Sequence, residues 1–219
     1  MVYCSPTSLI VGTILLTAEN LSCIKQDRLL FSQLNFSVSA GNGLYIKGEN
    51  GAGKTSLLRI LTGLSQPAEG SVLWQQKDIT SDFEEYATNL VYLGHKLGLN
   101  GNLSAIDNLV FWNTVNSIDD TTDLYELLSL LGLAGLEDMP VNRLSAGQQR
   151  RVSLARLWLK PAALWILDEP FNALDVQAVE LLIDKIKSHI TGGGSLVITS
   201  HLDMVTRLNC DVLHMEYNI

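Results

Sequence analysis

The octapeptide GENGAGKT at residues 48–55 fits the pattern G-x-x-x-x-G-K-[ST], with one short apolar stretch before it and another after it. Gly48, Gly51 and Gly53 let the backbone curl so that successive N–H groups face one point. A helix starting there adds positive potential at its first turn, and the combination suits phosphate oxygens. Glu49, Asn50, Ala52 and Ser56 complete this cradle. Lys54 can reach the β- and γ-phosphates of a nucleotide, and the hydroxyl of Thr55 can ligate Mg2+. A glycine-rich turn with a chance lysine is the plain alternative, and the strand–loop–helix context argues against it.

Three further stretches carry residues that such a site needs. LWILDE at 164–169 places two carboxylates at the end of an apolar run. Asp168 suits the Mg2+ shell, directly or through water. Glu169 is one residue on, points elsewhere and can polarise an attacking water. His201 follows the run SLVIT at 195–199. A lone histidine is commonly structural, but one just past a core strand of a parallel sheet lies at the edge where ligands bind. There it can touch a γ-phosphate and hold water and Glu169 in place. LSAGQQRR at 144–151 is harder to place, because one nucleotide rarely needs a second glycine turn between its other parts. Ser145 reads as a helix N-cap, with Ala146, Gly147 and Gln148 in a first turn whose free N–H groups suit an anion.

These residues require a frame. Apolar runs read as strands at 14–23, 34–38, 43–47, 71–74, 90–93, 164–167 and 195–199, and helical spacing occurs at 56–64, 148–159 and 176–190. Strands alternating with helices predict an α/β fold with a mostly parallel, covered sheet. From about 95 to 143 no strand pattern occurs. Ser104 with Asp107 makes a capping-box start there, and a second helical run follows at 124–131. The expectation is a single domain over 1–219 with a helical subdomain inserted at about 95–143. Residues 1–13 read as an N-terminal extension, either a ragged segment or a misplaced start.

Composition narrows the function. A chain of 219 residues, 47% hydrophobic, can bury a sizeable core. A net charge of -8 repels phosphate backbones, so nucleic acid is not an expected partner. Cys4, Cys23 and Cys210 have no metal-binding or redox spacing and read as reduced thiols. No apolar run reaches the ~18 residues of a membrane span. The longest candidate, 8–16, is short, and no basic residue precedes it as in a signal peptide. Service to a membrane would therefore run from its surface or through a partner.

In order and spacing, GENGAGKT, LSAGQQRR, LWILDEP, NALD at 172–175 and His201 resemble the Walker A, signature, Walker B, D-loop and H-loop segments of ABC-type ATPases. The resemblance runs over nearly the whole chain from about residue 15. It implies a P-loop NTPase cassette with a mostly parallel core sheet, N-terminal antiparallel strands and an inserted α-helical subdomain. It implies ATP and Mg2+ as ligands, with Thr55 and Asp168 at the metal and Glu169 and His201 in catalysis. It also implies a second copy of the chain as partner. Two cassettes face head to tail, and the signature of one, Ser145 to Gln148, covers the ATP held by the other, with Asn172 and Asp175 along the same seam. The stretches GENGAGKTSLLRILTGL, YLGH, LSAGQQRRVSLARLWL and LWILDEPFNALD look most like the ATPase subunits of cytochrome c maturation systems, commonly described as haem exporters. That resemblance implies polytopic membrane subunits, a periplasmic haem chaperone reached through the complex, and a place on the cytoplasmic face of the bacterial inner membrane. His95, His189, His201 and His214 all have readings simpler than haem ligation.

Two positions depart from the family. An aromatic residue normally stacks on adenine near Lys25, yet LSCIKQDR at 21–28 has none. Lys25 or Arg28 would stack through a cation–π contact, or adenine is held loosely. Where a glutamine normally reaches Mg2+, His95 stands eight residues before Leu103, with Lys96 the second candidate. Rival readings are a cassette of another ABC transporter (for lipid, peptide or metal) and a soluble ABC ATPase in iron–sulfur assembly, repair or translation. A nucleotide-gated module that hardly hydrolyses is a third, against which intact Lys54, Asp168, Glu169 and His201 argue. Docking on a membrane partner is expected near 95–115, with Phe111 and Trp112 either in that surface or in the core.

Overall fold

The computed structural model describes residues 12–118, 122–202 and 205–216. Cys4, and residues 8–11 of the apolar run at 8–16, lie outside the described residues. The chain opens with a long hairpin. β1 (Ile14–Lys25) pairs antiparallel with β2 (Arg28–Ser39). The two-residue turn between them, Gln26 and Asp27, has positive φ at both positions, the geometry whose twist matches the strands it joins. The sequence pattern marked only parts of both strands. Register shifts along the pair interrupt the alternation that would have revealed the rest. β4 (Glu69–Trp74) and β5 (Lys77–Asp78) extend this antiparallel sheet in the order β2-β1-β4-β5.

The second sheet is parallel throughout. It contains β3 (Gly43–Gly48), β6 (Leu90–Leu93), β7 (Leu164–Asp168), β8 (Ser195–Thr199) and β9 (Asp211–Met215), in the order β6-β7-β8-β3-β9. Every residue of β7 and β8 is buried, as expected of strands covered on both faces. α1 (Lys54–Leu61) packs between the sheets, where Leu57, Leu58, Ile60 and Leu61 join Leu16, Leu21, Ile46 and Ile166. α7 (Val176–Thr191) covers the other face, with Leu182, Ile183 and Ile186 against Trp165, Leu196 and Ile198.

Between 95 and 143 the described residues form α3 (Ala105–Val115), α4 (Leu124–Leu130) and a 3-10 turn at Val141–Arg143, with no strand. The Ser104–Asp107 capping box at α3 is present as expected. A third core, including Leu109, Leu128, Leu133 and Leu144, closes on Val152 and Leu159. Those last two come from α5 (Ala146–Leu154) and α6 (Arg156–Leu159), which replace the single helix expected at 148–159. α2 (Phe83–Thr88), α8 (Val205–Leu208) and β9 were not legible in the sequence. α2 and α8 are too short to show a period, and β9 is an edge strand whose exposed Asp211 and His214 hide its apolar positions.

His189, near the end of α7, stacks flat on Trp165 with ring centroids 3.9 Å apart, and its Nε2 lies 3.1 Å from the Ser195 carbonyl. Burial pushes its pKa down to about 4, against the smaller opposing effect of that hydrogen bond. The unfolded chain takes up this proton near pH ~6.5, and the folded chain resists it until well below that. The stability is therefore complete above that pH and is lost as pH falls towards 4. Urea unfolding at pH 7 and pH 4.5 should show the wild type losing about 2 kcal/mol more than His189→Phe, which keeps the stack without the titration. Equal losses would contradict it.

Candidate functional site

The glycine loop leaves β3 at Gly48 and enters α1 at Lys54. Gly53 caps the helix at φ 95°, and no side chain satisfies the first-turn N–H groups. A side chain at this position would press on Leu30 and Phe31, so glycine is required both by conformation and by space. The ammonium of Lys54 donates to the carbonyls of Gly48 (2.7 Å) and Glu49 (3.0 Å), which keeps it lying across the cradle.

The ends of β7 and β8 meet the first turn of α1. Asp168, 2% exposed, accepts from the Thr55 hydroxyl at Oδ2 (2.9 Å) and from the Thr199 hydroxyl at Oδ1 (2.7 Å). The Thr199 Oγ1 also accepts from the Glu169 N–H (3.1 Å). Glu169 turns the chain at φ 50°. One of its carboxylate oxygens accepts from the His201 N–H (2.9 Å), and the other lies 3.5 Å from the His201 Nε2. Tyr45 of β3 donates to the carbonyls of Ser200 and Leu202 and so anchors the segment carrying His201.

Gly53, Lys54, Thr55, Asp168, Glu169 and His201 line one open cleft of about 540 Å3, which also takes in Asn50, Gly51, Ser56, His95 and Asn172, while Thr199 and Tyr45 stand behind it. Of the two candidates for the glutamine position, His95 lines the cleft and Lys96 does not. The hairpin contributes Lys25, Gln26, Arg28 and Leu30 to the rim, while Cys23, in β1 of the same hairpin, is buried. The donor set fits a magnesium ion. Adjacent oxygens of Thr55 and Asp168 offer hard ligands, and among the described residues no cluster of three His, Cys, Asp or Glu forms a protein-only metal cage. Mg2+ is held in that way, by one or two protein oxygens together with phosphates and water.

The signature stretch is elsewhere. None of Ser145, Ala146, Gly147 or Gln148 lines the cleft. Ser145 N-caps α5 in a reciprocal box with Gln148, and Ser145 and Ala146 are exposed. Gly147 packs so closely that an added Cβ would lie 2.6 Å from the Ala173 carbonyl. The signature turn and residues 172–175 therefore form one continuous surface. Asp175 N-caps α7 through the Ala178 N–H (2.9 Å) and pairs with Arg151. The Ala178 N–H first, and then Arg151, hold its carboxyl below the usual range.

Three residues of the site escaped the sequence reading. Thr199 and Tyr45 carried a faint signal, each a polar side chain in an otherwise apolar strand. Arg150, 5% exposed, gave none, since an arginine within LSAGQQRR reads as a solvated helix residue.

Lys54→Ala should lose most ATP turnover, on the order of 100-fold or more, because the ammonium held across the cradle is removed. A steady-state phosphate-release assay with a circular dichroism check of folding measures this, and wild-type turnover in the variant would remove the phosphate cradle from the site.

The sequence profile of the family described as ABC transporter matches residues 31–172. The cytochrome c biogenesis ATP-binding export protein CcmA of Yersinia pestis bv. Antiqua (strain Nepal516) is 48% identical over 190 residues, covering 87% of this chain and 87% of that one. The protein of the same name from Escherichia coli (strain K12) is 49% identical over 187 residues, covering 85% and 89%. Among solved structures, the ATP-binding subunit of an ABC transporter superimposes with a TM-score of 0.83 at 22% identity, covering 94% of this chain and 88% of that one. A dimeric post-hydrolysis ATP-binding cassette bound to ADP and Pi gives 0.76 at 19% identity, covering 93% and 97%. At these identities the structural likeness concerns the fold.

Proposed function

This chain belongs to the ABC transporter family as an ATP-binding, ATP-hydrolysing subunit, and from that premise we propose that it powers haem export or haem handling in cytochrome c biogenesis. One observation carries the catalytic part of this reading. An unbroken hydrogen-bonded chain runs from Thr55 through Asp168 and Thr199 to Glu169 and His201, along the wall of the cleft that the glycine loop opens. The identity to the export proteins, sustained over most of both chains, carries the biological part.

In this reading the loop 48–53 and the first turn of α1 hold the phosphates, and Lys54 leaves the carbonyls of Gly48 and Glu49 for the β- and γ-oxygens. Thr55 and Asp168 would hold Mg2+, which would supply positive charge beside the phosphates. Glu169 takes the proton of the attacking water, and His201 orients Glu169 and the γ-phosphate. His95 enters from the loop after β6 in the place of the family's glutamine. The signature turn is exposed and outside its own cleft, so it serves the nucleotide of a second copy facing head to tail. Asn172 and Asp175 share that surface. Polytopic membrane subunits are the remaining partners, with a periplasmic haem chaperone reached through the complex. The chain then works at the cytoplasmic face of the bacterial inner membrane. Phe111, 64% exposed on α3, suits that docking surface, whereas Trp112 packs into the helical core under Arg156.

Glu169→Gln should bind ATP without splitting it and should accumulate as a dimer with ATP and Mg2+ on size-exclusion chromatography. Adding Ser145→Arg should return it to monomer, because bulk and charge then meet the facing site. A variant that stays monomeric at saturating ATP would count against the head-to-tail sandwich. Among the described residues no helix is long and apolar enough to cross a membrane. The chain should therefore sediment with membranes when polytopic haem-handling subunits are co-expressed, and be released when they are deleted. Unchanged attachment in the deletion strain, or capture by subunits of a lipid, peptide or metal transporter, would overturn the haem assignment while leaving the ATPase intact.

A further inference from the structure

Arg150 lies on α5, just over one turn beyond Ser145. Its guanidinium donates to four main-chain carbonyls, those of Asp168 (3.0 Å), Glu169, Pro170 (3.3 Å) and Gly94 (3.3 Å). Burial lowers its pKa, against the carboxylates of Asp168 and Glu169, which raise it. An arginine fork offers N–H groups in a fixed plane and accepts nothing, so it recognises a fixed array of oxygens. Three consecutive carbonyls can converge on one such fork only where the chain curls back. The residue at the curl is Glu169, at φ 50°. That conformation costs a non-glycine residue about 1–2 kcal/mol and persists where the surroundings over-determine it.

The same helices hold the loop that carries His95. Ser153 donates to the Leu97 carbonyl (3.1 Å), and Arg156 donates to those of Leu97 (3.1 Å) and Gly98 (2.6 Å). α5 meanwhile rests on the segment beyond Glu169, through Gly147 against Ala173 and Arg151 against Asp175. Among these contacts Arg150 alone reaches both Glu169 and the His95 loop.

We propose that Arg150 is a positioning residue for ATP hydrolysis, the strut by which the signature helix sets the backbone of Glu169 and of the His95 loop in its own cleft. The proposal rests on the function above, in which Glu169 acts on the attacking water and the signature turn serves the facing copy. On that basis closure at one nucleotide is felt at the other through α5. Arg150 does not line the cleft. Its removal acts on the rate through Glu169 and leaves nucleotide affinity alone.

The test is a double-mutant cycle on the full chain with ATP and Mg2+, comparing wild type, Arg150→Met, Glu169→Asp (which keeps a carboxylate and a residual rate but withdraws it by one methylene) and the double variant in single-turnover and steady-state assays. Arg150→Met should lower kcat by about 10- to 100-fold with a change in ATP affinity below about twofold. In the Glu169→Asp background the same substitution should cost less than about twofold, because its effect passes through a carboxylate already displaced. A merely structural arginine would multiply the loss in both backgrounds. That result, or a kcat for Arg150→Met within about twofold of wild type, overturns the proposal. Where Arg150→Met fails to fold by circular dichroism, Arg150→Lys replaces it under the same criteria, since an ammonium keeps the buried charge and loses the planar fork. Lys54→Ala run alongside separates the two levels. Wild-type turnover in Lys54→Ala would sink the ATPase site itself, whereas a dead Lys54→Ala with a fully active Arg150→Met would sink the strut alone.

Discussion

The carboxylate of Asp168 is almost completely withdrawn from water, and its two oxygens take the hydroxyls of Thr55 and Thr199. A buried carboxylate costs several kcal/mol unless its oxygens are satisfied. Satisfying this one requires three elements to meet at one point: the first turn of α1, the end of β7 and the end of β8. β7 and β8 must therefore be neighbours in parallel register, with Asp168 opposite Thr199. The loop from β3 must in turn bring α1 over the same edge of the sheet. The strand order β6-β7-β8-β3-β9 and the position of the phosphate cradle are two expressions of that requirement.

Two hydroxyls satisfy a carboxylate without neutralising it. The oxygens of Thr55 and Asp168 open onto the cleft that the glycine loop borders. This also reconciles the overall acidity with anion binding. The chain carries a net charge of -8, yet the cleft is lined by the N–H groups of a glycine loop, a helix start, Lys54 and Lys25. In the proposed function a small anion is accepted locally, where an extended polyanion would meet the repulsion of the whole surface.

The exposed signature turn completes the physical picture. α5 begins with a capping box that leaves its first turn facing outward, away from the cleft of its own chain. Behind it, α5 and α6 hold carbonyls of the His95 loop and of the Walker B turn through Arg150, Ser153 and Arg156. The helical region is thus bound to the catalytic edge by side-chain-to-carbonyl bonds and to its own core by leucines. A displacement of the first turn has a short, polar route to Glu169.

Much of this was legible from the residues alone. The glycine loop, the paired carboxylates, the parallel strands and the cap at Ser145 follow from local rules. A glycine where the chain must curl, an apolar run bounded by turns and a hydroxyl before a helix each act over a few residues. The resemblance to ABC-type ATPases implied a facing copy. Tertiary structure alone decided which distant groups meet. Arg150 looks like any surface arginine until four carbonyls from two other segments enclose it. Thr199 is one more strand residue until it bridges Asp168 and Glu169. β9 has no visible pattern, because an edge strand is chosen by its neighbour β3 through main-chain bonds that carry no sequence signal. Composition and spacing determine what each segment can become. Which charge is buried against which carbonyl is a property of long-range packing, where every partner is supplied by another part of the chain.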